Sequence, residues 1–189
     1  MTTVSIIGNG NMGSAIGGVV AAGGNTVEYV TRDTDTITGD IVVLAVPHTA
    51  LDDIVARRGA QLAGRIVVDI TNPLDFETFD SLVVPADSSR AAQLAEALPA
   101  STVLKAFNTN FAATLASKTV GGRPTTVLIA GDDADAKQAL SDVVRAGDLD
   151  AVDAGSLKRA RELEAIGFLQ ITLAAAEKIN WTGGLAVAA

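Results

Sequence analysis

The stretch Val4-Ser-Ile-Ile-Gly8-Asn-Gly10-Asn-Met-Gly13 decides the fold. It opens as an apolar run of strand length and continues into glycines spaced G-x-G-x-x-G. Gly8 permits a tight turn, Gly10 lets the backbone approach a pyrophosphate, and Gly13 lets the next helix pack against the strand. A pyrophosphate placed there meets unpaired amides at the positive end of a helix. With 18 glycines in the chain the spacing alone is weak. A strand before it, a helix after it and a second strand about twenty residues on give it weight.

Working outward, apolar runs of strand length alternate with helical patterns nearly from end to end. Strands are expected at 4–8, 27–31, 41–46, 66–70, 103–107, 126–130 and 150–153. Helices are expected near 12–22, 49–58, 88–98, 132–146 and 156–178, the last capped by Ser156. Most strands are continuously apolar, as strands covered on both faces are. The pattern specifies a Rossmann-type, doubly wound α/β fold on a mostly parallel sheet with right-handed crossovers. Residues 1–154 form the dinucleotide-binding domain. Residues 155–189 form a C-terminal apolar helix and tail for packing or dimerisation, the two parts possible as one unit.

Two segments break the rhythm. The link from Thr31 to Ile41 is too short for a crossover helix, so a loop or single turn is expected beside the adenine end of a bound cofactor. Residues 75–87, with Phe76 and Phe79, read as an inserted loop near the carboxyl edge of the sheet, either a lid or a packed surface loop. From Ala165 to Ala176 the last helix is apolar on nearly all sides, and the tail from Trp181 to Ala189 is apolar too. Such a helix is buried in its own core or against a second subunit, and a homodimer is the expectation.

Composition narrows the chemistry. The 189 residues carry a formal net charge of -8, with no basic stripe for nucleic acid. There is no cysteine, which excludes disulfides and thiolate chemistry, and one histidine, which excludes a His-rich metal site. No charged leader and no apolar stretch of spanning length is visible, so no membrane partner is expected and the localisation reads as cytoplasmic.

The second strand decides which dinucleotide. NAD sites usually place an acid at its end for the ribose hydroxyls. Here Glu28 comes too early, and the strand ends in Thr31 and Arg32. A hydroxyl and a guanidinium suit the 2′-phosphate of NADP(H). The other reading pairs Arg32 with Asp33 or Asp35.

Three further segments end at the carboxyl edge: Leu44-Ala-Val-Pro47-His48, Val68-Asp-Ile-Thr-Asn72-Pro73-Leu74 and Leu104-Lys-Ala-Phe107-Asn108-Thr109. With the glycine loop, Ile129-Ala-Gly-Asp-Asp133, Asp153-Ala-Gly-Ser-Leu157 and Arg159, they resemble the coenzyme F-420-dependent NADP reductase family. That family's N-terminal fold recurs in metal-reducing membrane proteins and in pyrroline-5-carboxylate reductase. The resemblance implies an NADPH-dependent oxidoreductase with NADP(H) as cofactor and a deazaflavin, coenzyme F-420, as co-substrate. It places Gly8, Asn9, Gly10, Asn11, Met12 and Gly13 on the pyrophosphate, and Thr31 and Arg32 on the 2′-phosphate. Val46, Pro47, Asn72 and Pro73 would flank the nicotinamide, and Phe107, Asn108 and Thr109 would line the acceptor pocket. Archaeal members carry a histidine–threonine pair where this chain has Asn108-Thr109.

No catalytic dyad is visible, which suits chemistry carried by cofactors. Lys105 and His48 are the catalytic candidates. Lys105 lies two residues before Phe107 and should share its strand face, although the sequence shows no partner for a buried lysine. Asp69 orients cofactor groups or bonds a loop amide. Trp181 caps a flat ring or packs in a core or interface. Two alternatives stay open: an NADPH-dependent reductase of small carbonyl or imine compounds, which needs a proton donor, and a non-catalytic NADP(H)-sensing protein.

Overall fold

A computed structural model describes residues 1–187; the tail expectation for residues 188–189 lies outside the described residues. Strands β1 (Thr3–Ile7), β2 (Thr26–Val30), β3 (Ile41–Leu44), β4 (Ile66–Asp69) and β5 (Thr102–Lys105) build the parallel body of the sheet. Helices α1 (Asn11–Ala22), α2 (Leu51–Leu62) and α3 (Arg90–Ala97) form its crossovers. A short helix α4 (Ala112–Ser117) leads to the hairpin β6 (Thr119–Val120) and β7 (Arg123–Pro124). Then come β8 (Thr126–Ala130), α5 (Ala134–Ala146), β9 (Asp150–Gly155) and α6 (Ala160–Ala175). The sheet order is β2-β1-β3-β4-β5-β8-β9.

The sheet is not parallel throughout. β8 and β9 pair with each other in parallel, but β8 meets β5 antiparallel through Lys105 and Ala130. The reversal is made at the hairpin, where Gly121 (φ 56°) and Gly122 (φ 78°) supply the two left-handed turn residues of a tight β-turn.

Strand alternation sorts the core into two layers. Val4, Ile6, Ile41, Val43, Val68 and Leu104 pack with residues of α1 and α5. Val42, Leu44, Val67 and Val103 pack with Leu51 and Leu62 of α2 and Leu94 of α3. β3 is buried at every residue, which is why it reads as an unbroken apolar run.

Residues 31–40 cross from β2 to β3 without a helix, as their length requires. One apolar anchor, the fully buried Ile37, fills the space against the second layer. Arg65 donates to the carbonyls of Ile37 (2.7 Å), Thr38 (3.3 Å) and Gly39. Gln61 Oε1 accepts from Ile37 N (3.1 Å), and Ser5 Oγ from Gly39 N (2.8 Å). These polar backbone groups of the loop are thus met by Gln61 of α2, Arg65 just after it and Ser5 of β1, rather than by a helix of its own.

Other expectations shift at the edges. α2 runs four residues beyond the expected 49–58. The last helix is preceded by a 3₁₀ turn (Leu157–Arg159), and Ser156 makes no side-chain cap bond. One face of α6 is buried through Leu163, Glu164, Gly167 and Gln170, while Leu169, Trp181 and Leu185 stand exposed. No helix among the described residues is long and apolar enough to cross a membrane.

Candidate functional site

The glycine loop takes the geometry that its spacing predicts. Gly8 has φ +107°, and a Cβ there would strike the carbonyl of Ala45. A Cβ on Gly13 would strike the Gly8 carbonyl, so α1 packs closer than any side chain permits. At Gly10 a Cβ would meet nothing within 4 Å, which leaves the cradle over the loop open. α1 starts at Asn11 with no side-chain cap and no acid in its first turn. Its first amides therefore meet no acidic side chain from the helix's own first turn.

Three hollows adjoin along the carboxyl edge. The first, of about 450 Å³, is lined by Gly8, Asn9, Thr31 and Arg32, with Arg57 and Arg58 of α2. The second, of about 320 Å³, is lined by Gly10–Met12, Val46, Pro47, His48 and Asn72. The third, of about 520 Å³, is lined by Phe76, Phe79, Phe107, Phe111 and Trp181, with Asn108 and Asn110. Val46 borders the first two, while Met12, Asn72 and Ile171 border the last two. They form one trough with a cationic end and an aromatic end.

At the cationic end Glu28 is turned away from the ribose position. It accepts from Ser5 Oγ and from Thr38 N (3.0 Å). Burial opposes ionisation there, but these donors and the Gly39 amide win and hold its carboxyl below the usual range. Arg32 pairs with neither Asp33 nor Asp35. The Thr31 hydroxyl lies 3.3 Å from that of Thr34, closing the turn that leads into the crossover loop.

At the aromatic end Asn72 and Asn108 clasp one another. Asn72 Nδ2 donates to Asn108 O (2.8 Å), and Asn108 Nδ2 donates to Asn72 Oδ1 (2.9 Å) and to Leu163 O (2.8 Å). α6 passes so close that a Cβ at Gly167 would collide with the Asn72 amide. Asn108 Oδ1 and Asn110 Oδ1 are buried and have no donor among the described residues. The loop after β4 folds over the edge: Phe76 stacks on His48 (6.0 Å, 15°) and meets Phe79 edge-on (5.8 Å, 87°). Trp181 lies 5.0 Å from Phe111.

Phe107 has φ 61°, a left-handed conformation that costs a bulky residue roughly 1–2 kcal/mol. This break overturns the expected shared face of Lys105 and Phe107. Alternation keeps Lys105 in the layer of Val103, whereas the Phe107 ring lies in the opposite layer. Lys105 also has the partners that the sequence did not show. Its Nζ donates to Asp69 Oδ2 and Glu164 Oε1, both at 2.8 Å, and to the Thr71 carbonyl. All three side chains are sealed from solvent. Glu164 also accepts from the first amides of α3, Arg90 N (3.0 Å) and Ala91 N (3.3 Å). Burial pushes the Glu164 carboxyl above its ordinary range, against the pull of the Lys105 ammonium and the Arg90 amide. Asp69 Oδ1 holds the Thr71 amide at 2.8 Å, so it fixes a loop rather than a ligand.

Of the residues expected at the site, the trough gathers Gly8–Met12, Thr31, Arg32, Val46, Pro47, His48, Asn72, Phe107 and Asn108. Gly13 packs beneath the loop. Pro73 and Thr109 are buried and do not line it, and Lys105 is locked away. Arg58, Phe111, Asn110 and Ile171 line it unforeseen. Only three-dimensional folding brings α2, α4 and α6 to this edge.

A glycine-loop strand, a helix N-terminus aimed into a trough and, at one end, Arg32 and Arg58 with no carboxylate partner among the described residues define a dinucleotide-binding α/β protein with a second, apolar pocket. No family model matches the chain. It is 31% identical over 149 residues to the F-420-dependent NADP reductase of Methanocaldococcus jannaschii, covering 77% of this chain and 66% of that one. It is 44% identical over 107 residues to the metalloreductase STEAP3 of Rattus norvegicus, covering 56% of this chain and 20% of that protein. A crystal structure from Arthrobacter sp. FB24, provisionally named an F-420-dependent NADP reductase, superposes with TM-score 0.86 at 24% identity, each chain fully covered. The chain belongs to the F-420-dependent NADP reductase family. It spans a fifth of the metalloreductase and 66% of the reductase.

Proposed function

We propose that this protein is an NADPH-dependent oxidoreductase that passes hydride between NADP(H) and a flat redox acceptor, a deazaflavin of the coenzyme F-420 type. The observation that carries the reading is the continuous trough, cationic at one end and aromatic at the other, with the open Gly10 cradle between. The residues fit both groups. The free amides of α1 suit a pyrophosphate, and Arg32 suits a 2′-phosphate that an acid at the end of β2 would repel. The apolar walls of the third hollow suit a fused ring, with Asn108 and Asn110 as its polar border.

NADPH supplies the hydride when bound, and the acceptor ring takes it. The chain's own part is alignment and exclusion of water. Asn72 and Asn108 fix the floor between the two sites, and the stacked His48–Phe76 pair covers the second hollow. Phe107 is held in a costly conformation in the wall of the third hollow, as residues that shape a site commonly are. The exposed stripe of Leu169, Trp181 and Leu185 is where a homodimer would form, and it would cover the outer rim of the acceptor pocket.

A carbonyl or imine reductase needs a proton donor in the trough. Lys105 is sealed inside an ion triad, so His48 is the ionisable side chain left to serve the second hollow. The test is NADPH oxidation by the purified protein with a deazaflavin, FMN and a carbonyl and imine panel, with NADH in parallel. Turnover with the deazaflavin and NADPH supports the proposal. Turnover confined to carbonyls or imines, and lost in His48→Ala, refutes it in favour of the second reading. Tight NADPH binding with no turnover points to the sensor.

A further inference from the structure

We infer that Arg58, on α2, is a second ligand for the 2′-phosphate and sets the preference for NADP(H) over NAD(H); this rests on the dinucleotide reading above. An open sheet of this kind normally covers the end of β2 with the crossover that follows it. Here residues 31–40 form a thin loop, and α2 comes to lie beside the adenosine end of the trough. The Arg58 guanidinium reaches across to Thr31 O (3.3 Å), Arg32 O (3.4 Å) and Asp35 O (3.5 Å). These are long contacts to neutral carbonyls.

Charge separates Arg58 from its neighbour on the helix. Arg57 pairs with Asp53 at 2.8 Å, so its charge is already met. Arg58 has no carboxylate partner among the described residues, and neither has Arg32. Two unneutralised guanidinium groups thus flank Thr31 in one hollow, in a protein of net charge -8. A dianionic phosphate beside Thr31 would replace the long carbonyl contacts with charge-assisted ones, which are shorter and about twice as strong. Arg58 therefore does two things: in the free protein it braces the turn that presents Arg32, and in the complex it meets the phosphate.

The test compares 2′,5′-ADP with 5′-AMP, and NADPH with NADH, by calorimetry on the wild type, Arg58→Gln and Arg58→Lys. Loss of one charge-assisted bond predicts that Arg58→Gln weakens 2′,5′-ADP and NADPH about tenfold or more. AMP and NADH should stay within about twofold, and Arg58→Lys should recover part of the loss. If all four ligands weaken together, or if Arg58→Gln costs nothing further in an Arg32→Gln background, Arg58 only braces the loop that presents Arg32 and the inference falls. If none weakens, it falls as well. Wild-type protein that binds neither NADPH nor 2′,5′-ADP overturns the dinucleotide reading and this inference with it. That result is separable because it appears before any substitution is made.

Discussion

Replacing Lys105 by methionine tests the buried triad. Methionine keeps most of the apolar stem and removes the ammonium, leaving Asp69 and Glu164 without a cation and the Thr71 carbonyl without its donor. Both carboxylates are sealed, with side-chain exposures of 0% and 1%. Removing one member of such a buried set costs about 3–5 kcal/mol. For a domain of this size that lowers the melting temperature by roughly 2–4 °C per kcal/mol, or about 6–20 °C in all. The loss should depend on pH in a known direction. Glu164 is already raised above the ordinary glutamate range, so only between the ordinary and the raised value does the folded chain hold more proton than the unfolded chain. Its contribution to stability therefore falls as pH rises from the ordinary range through the raised value. Without Lys105 that window moves higher still. The variant should lose most at high pH and recover part of the loss as pH is lowered toward the ordinary glutamate range. Urea denaturation at the two ends of that span reads this directly. A loss below about 1 kcal/mol at the higher pH, or the same loss at both, refutes the charged triad. A stable variant that binds NADPH normally but has lost turnover would instead return Lys105 to the chemistry.

Two more outcomes follow from the backbone. Gly10→Val places its side chain in the open cradle, so NADPH should bind more than about tenfold more weakly while the melting temperature stays within about 2 °C of wild type, as differential scanning fluorimetry with and without NADPH will show. Arg65→Ala removes three donations to the crossover loop and should cost about 2–3 kcal/mol by urea denaturation, with exchange of the Gly39 amide accelerated; unchanged stability would mean that buried Ile37 alone holds the loop.

The parallel body of the sheet was legible because each of its strands carries its own signal. Ile41-Val-Val-Leu44 is apolar at every position because helices or loop cover it on both faces, and the glycine loop reports its geometry through positions where a Cβ has no room. The missing crossover helix was legible from length alone. The reversal of β8 could also have been read, since Gly121-Gly122 between short polar strands is a hairpin signal, but a Val/Ile-rich strand looks alike in either direction. The site was half legible. Residues adjacent to strand ends were found because chain order places them there. Ile171 and Arg58 come from helices, and Phe111 from the start of one, whose approach depends on packing. The partners of Lys105 stayed hidden because Asp69 lies 36 residues away and Glu164 59, and no local pattern marks a charge that is met at such a distance.

The same separation has a bearing on how the chain comes into being. Glu164 supplies the acceptor for the first amides of α3, and its carboxylate completes the charge set around Lys105. During synthesis at 5–20 residues per second, the 59 residues from Lys105 to Glu164 take about 3–12 s. For that interval the nascent sheet holds a lysine with half its counter-charge, and α3 has its Ser89 cap but not its carboxylate. The parallel half therefore waits for α6 before it can lock. A polypeptide halted between the two positions should remain a loosely ordered client for holding chaperones and proteases, although most of its strands have already emerged.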